Sequence, residues 1–278
     1  MPVKSLIYDD YYKFLKELIE EYGEQSALFM QVGDFFELYA EDCPELQYTM
    51  TSLKTISEIC NFQITRKDKK KELGHGNPYM IGFPIRCKDK YLDMLVNKNL
   101  YNVRVIEQVT PAPDPKREVT GTYSPGTMIE TTRIHNNLMS VYIEEYKSFT
   151  TASNSVCIGI SVIDLTTGKN VVMETYSNKD DPYYPLDELY RCVKSHYPVE
   201  MIVTYDTLPN NMTEQNFHQF LEIEDTKIQY VSMVDPEYKK KSYQTHFLKQ
   251  IFPQTGMLSV IEYLNLEHKE CGLISYLV

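Results

Sequence analysis

Hydrophobic spacing at the start of the chain predicts one helix followed by two short strands. Apolar residues recur at helical intervals between positions 12 and 19, Asp9 or Asp10 caps this segment, and Gly23 ends it. Residues 26–32 then form a short apolar run, and residues 35–39 continue as a strand or an irregular edge.

Three further elements follow before the pattern changes. Residues 78–84 form another short apolar run, residues 89–97 show the spacing of a helix, and residues 101–109 alternate as a strand. Helices and strands mix here without a regular strand-helix-strand repeat. The pattern therefore predicts a compact α/β domain with a mixed sheet over residues 1–130.

Prolines at positions 111, 113 and 115 interrupt this pattern, and a polar stretch predicts a linker over residues 131–153. A second α/β domain is predicted over residues 154–256. It opens with a hairpin whose turn follows Asp164, and a helix near residues 185–195 and a strand near residues 200–205 come next. This order is compatible with an RNase H-like domain and with many other α/β folds. Residues 257–278 predict the start of another helical element.

Length and composition agree with two ordinary folded domains. The chain has 278 residues, and compact domains cluster near roughly 100 to 150 residues. No apolar run approaches the roughly 20 residues of a membrane span, and the acidic N-terminus lacks the apolar core of a signal peptide. We therefore expect a soluble intracellular protein without a membrane partner. The scattered cysteines form no CxxC pair, which favours reduced thiols over a zinc or disulfide framework.

Charge is distributed unevenly along the chain. The net charge of −11 argues against a generally basic nucleic-acid binder. Residues 1–49 carry 3 Lys and Arg against 11 Asp and Glu, whereas residues 50–104 carry 11 against 5. A solvated loop and a phosphate-binding loop both remain open as interpretations of the densest basic stretch. This stretch contains Arg66, Lys67, Lys69, Lys70 and Lys71.

The segment around two adjacent phenylalanines is the sharpest local feature. Side chains of an extended segment alternate between faces, so only one of Phe35 and Phe36 can enter the core. Glu37 shares a face with Phe35. In one interpretation Phe35 covers a neighbouring helix and Glu37 is merely solvated. In the other, Phe35 is an apolar wedge that stacks into a base step of a nucleic acid, with the carboxyl group beside it.

Motifs for other chemistries are weak or absent. The sequence has no Walker phosphate loop, and Gly74 and Gly76 are too few for a dinucleotide fingerprint. Asp164, Asp206 and Asp225 are candidates for a two-metal nuclease cluster, but Asp164 opens a hairpin turn, and capping of that turn is the favoured explanation for it. The six histidines lie far apart, and we expect no metal site.

A series of motifs resembles one known family. Residues 33–38 read Gly-Asp-Phe-Phe-Glu-Leu and resemble the mismatch-reading motif Gly-Asp-Phe-Tyr-Glu-Leu of the MutS DNA mismatch-recognition family. Within this motif Gly33 and Asp34 match the pattern, and Phe36 replaces the usual tyrosine. Met-Ile-Gly-Phe-Pro at 80–84, Tyr-Leu and Leu-Val at 91–96, Val-Ile-Glu-Gln at 105–108, Lys-Arg-Glu-Val at 116–119 and Ser-Pro-Gly-Thr at 124–127 resemble family motifs in the same order.

The second half resembles the same family more faintly. Residues 163–168 resemble the hairpin of the family's RNase H-like connector domain, and residues 262–277 resemble the entry into its helical lever domain. The resemblance implies a mismatch-recognition domain and a connector, followed by levers, a clamp and an ATPase that this chain does not include. It implies no cofactor here, since ATP and Mg²⁺ belong to that ATPase. Dimerisation would use the missing C-terminal domains, and the connector is a candidate docking site for a repair protein.

The resemblance also implies roles for single residues. Phe35 would stack on a mispaired or unpaired base of duplex DNA from the minor groove, Glu37 would hydrogen-bond that base, and Phe36 would face the core. Two rivals remain: a metal-dependent nuclease or resolvase, and a protein-interaction module of a repair complex. The family's Leu-Thr-x-Arg motif is matched only loosely at residues 64–66, so phosphate contacts are proposed from charge alone. These candidates are Arg66, Lys67, Lys69, Lys70, Lys71, Arg86 and Lys88.

Overall fold

The computed structural model describes residues 7–41, 47–111, 115–128, 136–147, 154–232, 235–252 and 254–277. The chain divides into two compact units, residues 1–128 and residues 129–278. Each unit combines helices with one mixed sheet, which confirms the predicted α/β class. No helix among the described residues has both the length and the apolar character needed to cross a membrane.

The first unit is built on a six-stranded sheet with the order β3-β4-β2-β1-β5-β6. Strands β1 and β5 run parallel, and the other neighbouring pairs are antiparallel. The helices are α1 (Ile7–Tyr22), α2 (Gln47–Cys60) and α3 (Lys88–Asn99); the strands are β1 (Ser26–Val32), β2 (Phe35–Ala40), β3 (Thr65–Arg66), β4 (Tyr79–Pro84), β5 (Asn102–Gln108) and β6 (Arg117–Tyr123).

Aromatic side chains fill much of the core of this unit. Phe29, Phe36 and Phe83 come from β1, β2 and β4, and all three are almost completely buried. Phe83 also packs against Phe62 and Tyr91, with ring centroids 5.6 and 4.6 Å away. Because this cluster joins three strands to the segment after α2 and to α3, it fixes the position of β2 in the sheet.

Three elements of the first unit were missing from the sequence prediction: α2, β3 and β6. Helix α2 contains several Ser and Thr residues, which weaken helix propensity and hide its periodicity. Strand β3 has only two residues. Strand β6 lies at the edge of the sheet and has no buried residue, so it lacks a buried apolar face that would reveal it.

The second unit contains a five-stranded sheet with the order β11-β10-β7-β8-β9. The first three strands of the unit pair antiparallel, and β10 and β11 then run parallel to β7. Helices α4 and α8 both pack against this sheet. The strands are β7 (Asn137–Lys147), β8 (Asn154–Asp164), β9 (Asn170–Tyr176), β10 (Glu200–Tyr205) and β11 (Lys227–Ser232); the helices are α4 (Tyr184–His196), α5 (Glu214–Leu221), α6 (Lys241–Ile251), α7 (Gln254–Leu264) and α8 (Cys271–Leu277).

Two features of this unit differ from the sequence interpretation. The predicted linker over residues 131–153 contains β7, which pairs with β8 and β10 inside the sheet. Polar residues such as Ser140 and Glu144 alternate with its apolar ones, which gave the segment its linker-like composition. Cys157 on β8 and Cys271 on α8 form a disulfide, so the prediction of reduced thiols is wrong for this pair. Cys43 lies outside the described residues.

Candidate nucleic-acid interface

Phe35 is presented at the end of β2 that follows the β1–β2 turn. It pairs with Val32 of β1 on one side and with Pro84 of β4 on the other. Its side chain is 48% exposed, whereas the side chain of Phe36 is fully buried. The alternation of an extended strand therefore places one ring in solvent and its neighbour in the core.

The turn before Phe35 is held by specific hydrogen bonds. Gly33 adopts φ +59°, a left-handed conformation that glycine tolerates at no steric cost. The Gln31 amide Nε2 donates to the Gly33 carbonyl at 3.0 Å. The Asp34 carbonyl accepts from the backbone N–H of Ile85 at 3.0 Å, which ties the turn to the end of β4. Phe35 thus projects from a fixed piece of backbone.

Glu37 lies on the same strand face as Phe35, two residues further along. Its neighbours across the sheet are Met30 and Gly82. A Cβ atom at Gly82 would lie 3.2 Å from the Phe36 carbonyl oxygen and 3.5 Å from Cγ of Glu37. The absence of a side chain at Gly82 therefore leaves space over the Glu37 side chain.

Tyr39 lies on the same face of β2, two residues after Glu37. Its hydroxyl donates a hydrogen bond to the Glu37 carboxylate. Burial and this hydrogen bond raise the pKa of Tyr39 above its ordinary value. The rings of Tyr8 and Tyr11 from α1 pack edge-on against Tyr39, at centroid distances of 4.9 and 5.0 Å. The Glu37 carboxylate is thus bound by the buried residue that follows it on the same face of the strand.

Basic residues lie at the same end of the sheet as Phe35. Arg86 is exposed two residues after Pro84, the residue that pairs with Phe35. Lys88 forms an ion pair with Glu107 at 3.0 Å, and this hydrogen bond raises the pKa of Lys88. Of the two predicted phosphate ligands at this end, Arg86 is therefore the more exposed and Lys88 is already engaged.

Two basic residues at this end were not among the sequence candidates. Strand β6 begins with Arg117, which pairs with Gln108 of β5 and donates from Nε to the Gln31 carbonyl at 3.1 Å. Lys116 is exposed beside it and pairs with Glu118. The sequence marked residues 116–119 as a charged motif but not their location, since only the pairing of β6 with β5 brings Lys116 and Arg117 near the β1–β2 turn.

The basic loop, residues 66–71, lies at the opposite end of β2. Arg66 pairs with Tyr79, which in turn pairs with Ala40 at the far end of that strand. Five residue steps of about 3.4 Å separate Ala40 from Phe35, so the start of the loop lies at least about 17 Å from Phe35 along the strand direction. The structure therefore divides the predicted phosphate ligands into two groups.

A buried asparagine organises the basic loop. The Asn77 side chain is 4% exposed, accepts from the Asp68 N–H at 3.1 Å and donates to the Asp68 carbonyl at 2.9 Å. Arg66 donates from Nη2 to the Lys69 carbonyl at 2.7 Å. The side chains of Lys67, Lys69, Lys70 and Lys71 are exposed, and Lys71 makes a long ion pair of 3.9 Å with Asp68.

His75 connects the segment after this loop to the rest of the unit. Its Nε2 lies 2.6 Å from Asp9 Oδ1 on α1, and its Nδ1 lies 2.6 Å from Glu41 Oε1 just after β2. The hydrogen bond to Asp9 is the main factor that raises the pKa of His75. A protonated imidazole satisfies both carboxylates at once.

The three aspartates of the nuclease hypothesis do not converge. Asp164 accepts from the Thr166 N–H at 3.0 Å and from the Thr167 hydroxyl at 2.6 Å, as expected for a turn residue. Asp164 is the last residue of β8 and lies beside Asn137, the first residue of β7. Asp206 follows Tyr205, the last residue of β10, and therefore lies at the opposite end of the sheet. Within the described part of the chain, no group of three or more His, Cys, Asp or Glu residues is placed to hold a metal ion.

Comparison with known proteins finds similarity that covers most of the first unit. A family model described as MutS domain I matches residues 11–132. A mutS homologue of Acanthamoeba polyphaga mimivirus is 28% identical over 300 residues, which cover 99% of this chain and 26% of that protein. Most of the first unit therefore matches MutS domain I, and the whole chain is similar to the N-terminal region of proteins named MutS.

Bacterial proteins named MutS are similar to this chain over shorter regions. The DNA mismatch repair protein MutS of Thermodesulfovibrio yellowstonii is 30% identical over 171 residues, which cover 59% of this chain and 17% of that protein. The MutS of Caldanaerobacter subterraneus is 28% identical over 204 residues, covering 69% and 20%. The chain therefore spans about a quarter or less of the length of these relatives.

Proposed function

We propose that the first unit recognises mismatched or looped duplex DNA by inserting Phe35 at the lesion. The observation that carries the proposal is the contrast between two adjacent rings: Phe36 is part of the core, and Phe35 is half exposed on a fixed turn. A large apolar side chain held rigidly in solvent matches the apolar wedges that enter DNA through the minor groove.

The selectivity of such a wedge comes from the DNA. Mispaired and unpaired bases are poorly stacked, so separating them from their neighbours costs less free energy than opening a regular base step. Insertion kinks the duplex, and a kink forms most easily where stacking is already weak. Phe35 therefore discriminates by the deformability of the base step.

Glu37 adds a polar contact and an electrostatic penalty. Its position on the face of Phe35, beneath the open space at Gly82, allows its carboxylate to hydrogen-bond the base that Phe35 displaces. The negative charge also repels the phosphates of a regular duplex that approaches the same surface. Both effects increase the preference for a lesion over paired DNA.

The basic residues supply affinity that is independent of sequence. Arg86, Lys88, Lys116 and Arg117 surround the end of the sheet that carries Phe35, where they would contact phosphates close to the lesion. A second set of contacts, at least about 17 Å from Phe35 along the strand direction, would come from the basic loop. Its members are Arg66, Lys67, Lys69, Lys70 and Lys71.

The chain would act as the N-terminal part of a DNA mismatch repair protein, as a binding module without catalysis of its own. The relatives are named as DNA mismatch repair proteins and are several times longer. We propose that the second unit is an RNase H-like connector, which its strand order supports. Nucleotide binding and dimerisation would then belong to other domains of the full-length protein, and the second unit would offer a surface for a repair partner.

Fluorescence anisotropy tests the proposal directly. The chain is titrated at low salt onto a G·T duplex, a duplex with one unpaired base and a fully paired duplex. Wild type is expected to prefer the two defective duplexes, and Phe35→Ala is expected to bind all three equally. Equal binding of all three duplexes by the wild type, unchanged by Phe35→Ala, would refute the proposal.

A further inference from the structure

The carboxylate of Glu37 is oriented by a residue of its own strand. Tyr39 lies two positions further along β2, so its side chain shares a face with Glu37. Its hydroxyl donates to Oε2 of the carboxylate, while its ring is 2% exposed and packed between Tyr8 and Tyr11. A donor held this firmly fixes the direction of the group that it binds.

The hydrogen bond from Tyr39 engages one of the two oxygens of the Glu37 carboxylate. The pKa of Tyr39 is raised by burial and by the bond to Glu37, so the phenol stays protonated and remains a donor. An ionised carboxylate has only acceptor sites, whereas a protonated one also carries a donor. No residue of the described segments donates a hydrogen bond to the other oxygen, Oε1. One oxygen is therefore engaged, and the other is available.

We propose that Tyr39 is a positioning residue that fixes the Glu37 carboxylate through Oε2, so that Oε1 is the oxygen that accepts from a displaced base. This inference rests on the proposed function and specifies the chemistry that Glu37 recognises. An unpaired thymine offers its N3–H to such an acceptor. The analogue N3-methylthymine has the same ring without that donor.

The experiment uses the full 278-residue chain and duplexes that contain one unpaired thymine, one unpaired N3-methylthymine or no unpaired base. Tyr39→Phe removes the hydroxyl and keeps the ring that packs in the core. Tyr101→Phe is the matched control, because Tyr101 is a buried tyrosine of the same unit that lies near Cys60 instead of Glu37. Thermal unfolding checks that both variants retain their fold.

Tyr39→Phe is expected to lower the preference for the thymine duplex over the paired duplex about tenfold, the typical loss for a hydrogen bond to a charged group. It should leave the preference for the N3-methylthymine duplex unchanged, because this base offers no N–H to Glu37. Tyr101→Phe should change neither quantity. In a Glu37→Ala background, Tyr39→Phe should have no further effect.

The outcomes separate this inference from the proposed function. If Phe35→Ala abolishes the preference for the thymine duplex while Tyr39→Phe leaves that preference unchanged, the role of Tyr39 is refuted and the wedge stands. If Tyr39→Phe still lowers the preference when Glu37 is absent, Tyr39 acts through packing and the inference is also refuted. If Phe35→Ala has no effect, both proposals fail.

Discussion

Phe35 and Phe36 are covalent neighbours whose side chains lie on opposite faces of β2, one 48% exposed and the other in contact with the core. The ring of Phe36 lies 6.1 Å from that of Phe29 and 5.8 Å from that of Phe83, measured between centroids. Phe36 is therefore part of the core, and under the proposed function its neighbour Phe35 is the residue that contacts DNA.

This separation predicts opposite effects of two alanine substitutions. Phe36→Ala should lower the free energy of unfolding by about 3 to 5 kcal/mol, because it leaves a cavity in the core. Phe35→Ala should change it by less than about 1 kcal/mol, because the ring already contacts solvent. Urea denaturation measures both values. A large stability loss in Phe35→Ala would show that this ring is a structural residue.

Gly82 should matter through the space that it leaves over Glu37. Gly82→Val places a branched side chain against the Phe36 carbonyl and the Glu37 Cγ, so it should lower the preference for an unpaired base several-fold. Gly76→Val is the matched control, because a Cβ atom there meets no other atom within 4 Å. Competition binding on lesion and paired duplexes measures the preference. An unchanged preference in Gly82→Val would contradict a role for this open space.

The two groups of basic residues should differ in their effect on binding. Arg86→Gln removes a charge beside Phe35, so it should weaken binding to all duplexes and lower the slope of log affinity against log salt by about 1. Lys69→Gln removes a charge from the basic loop at the far end of β2 and should have a smaller effect. Salt titrations of affinity give both slopes. A larger slope change for Lys69→Gln would place the DNA backbone at the basic loop.

The His75 contacts predict a pH-dependent anchoring of residues 66–77. The hydrogen bonds to Asp9 and Glu41 raise the pKa of His75 above 6.5, so their stabilisation is complete below that pH. It is lost as the pH rises through the raised value. The expected contribution is below about 1 kcal/mol, because exposed ion pairs are screened by solvent.

Hydrogen exchange of the amides in residues 66–77, corrected for the intrinsic pH dependence, checks this prediction. Wild type should lose protection as the pH rises above the His75 titration, whereas His75→Gln should show low protection throughout. Parallel profiles in the two proteins would mean that the imidazole does not anchor the loop.

Local patterns predicted those parts of the site that depend on neighbouring residues. The alternation of an extended strand was sufficient to put Phe35 and Glu37 on one face and Phe36 on the other. The glycine at position 33 marked the turn before them. These features depend on backbone geometry over a few residues, which a single sequence expresses directly.

Other parts of the site depend on strand pairing between distant segments. The separation of the basic loop from Phe35 follows from the antiparallel pairing of β2 with β4 and of β4 with β3. The proximity of Arg117 to Gln31 follows from the pairing of β6 with β5 and of β5 with β1. Charge runs reveal a basic segment, but they carry no information about the end of the sheet to which it belongs.

The central claim is that Phe35 enters the DNA, and a kink is the direct consequence of that insertion. Energy transfer between dyes at the two ends of a short duplex with one unpaired base reports the kink, which for wedge proteins is about 20 to 90°. At saturating protein, wild type is expected to increase the transfer, and Phe35→Ala is expected to leave it at the value of free DNA. The same increase in Phe35→Ala, with binding complete in both cases, would contradict the account.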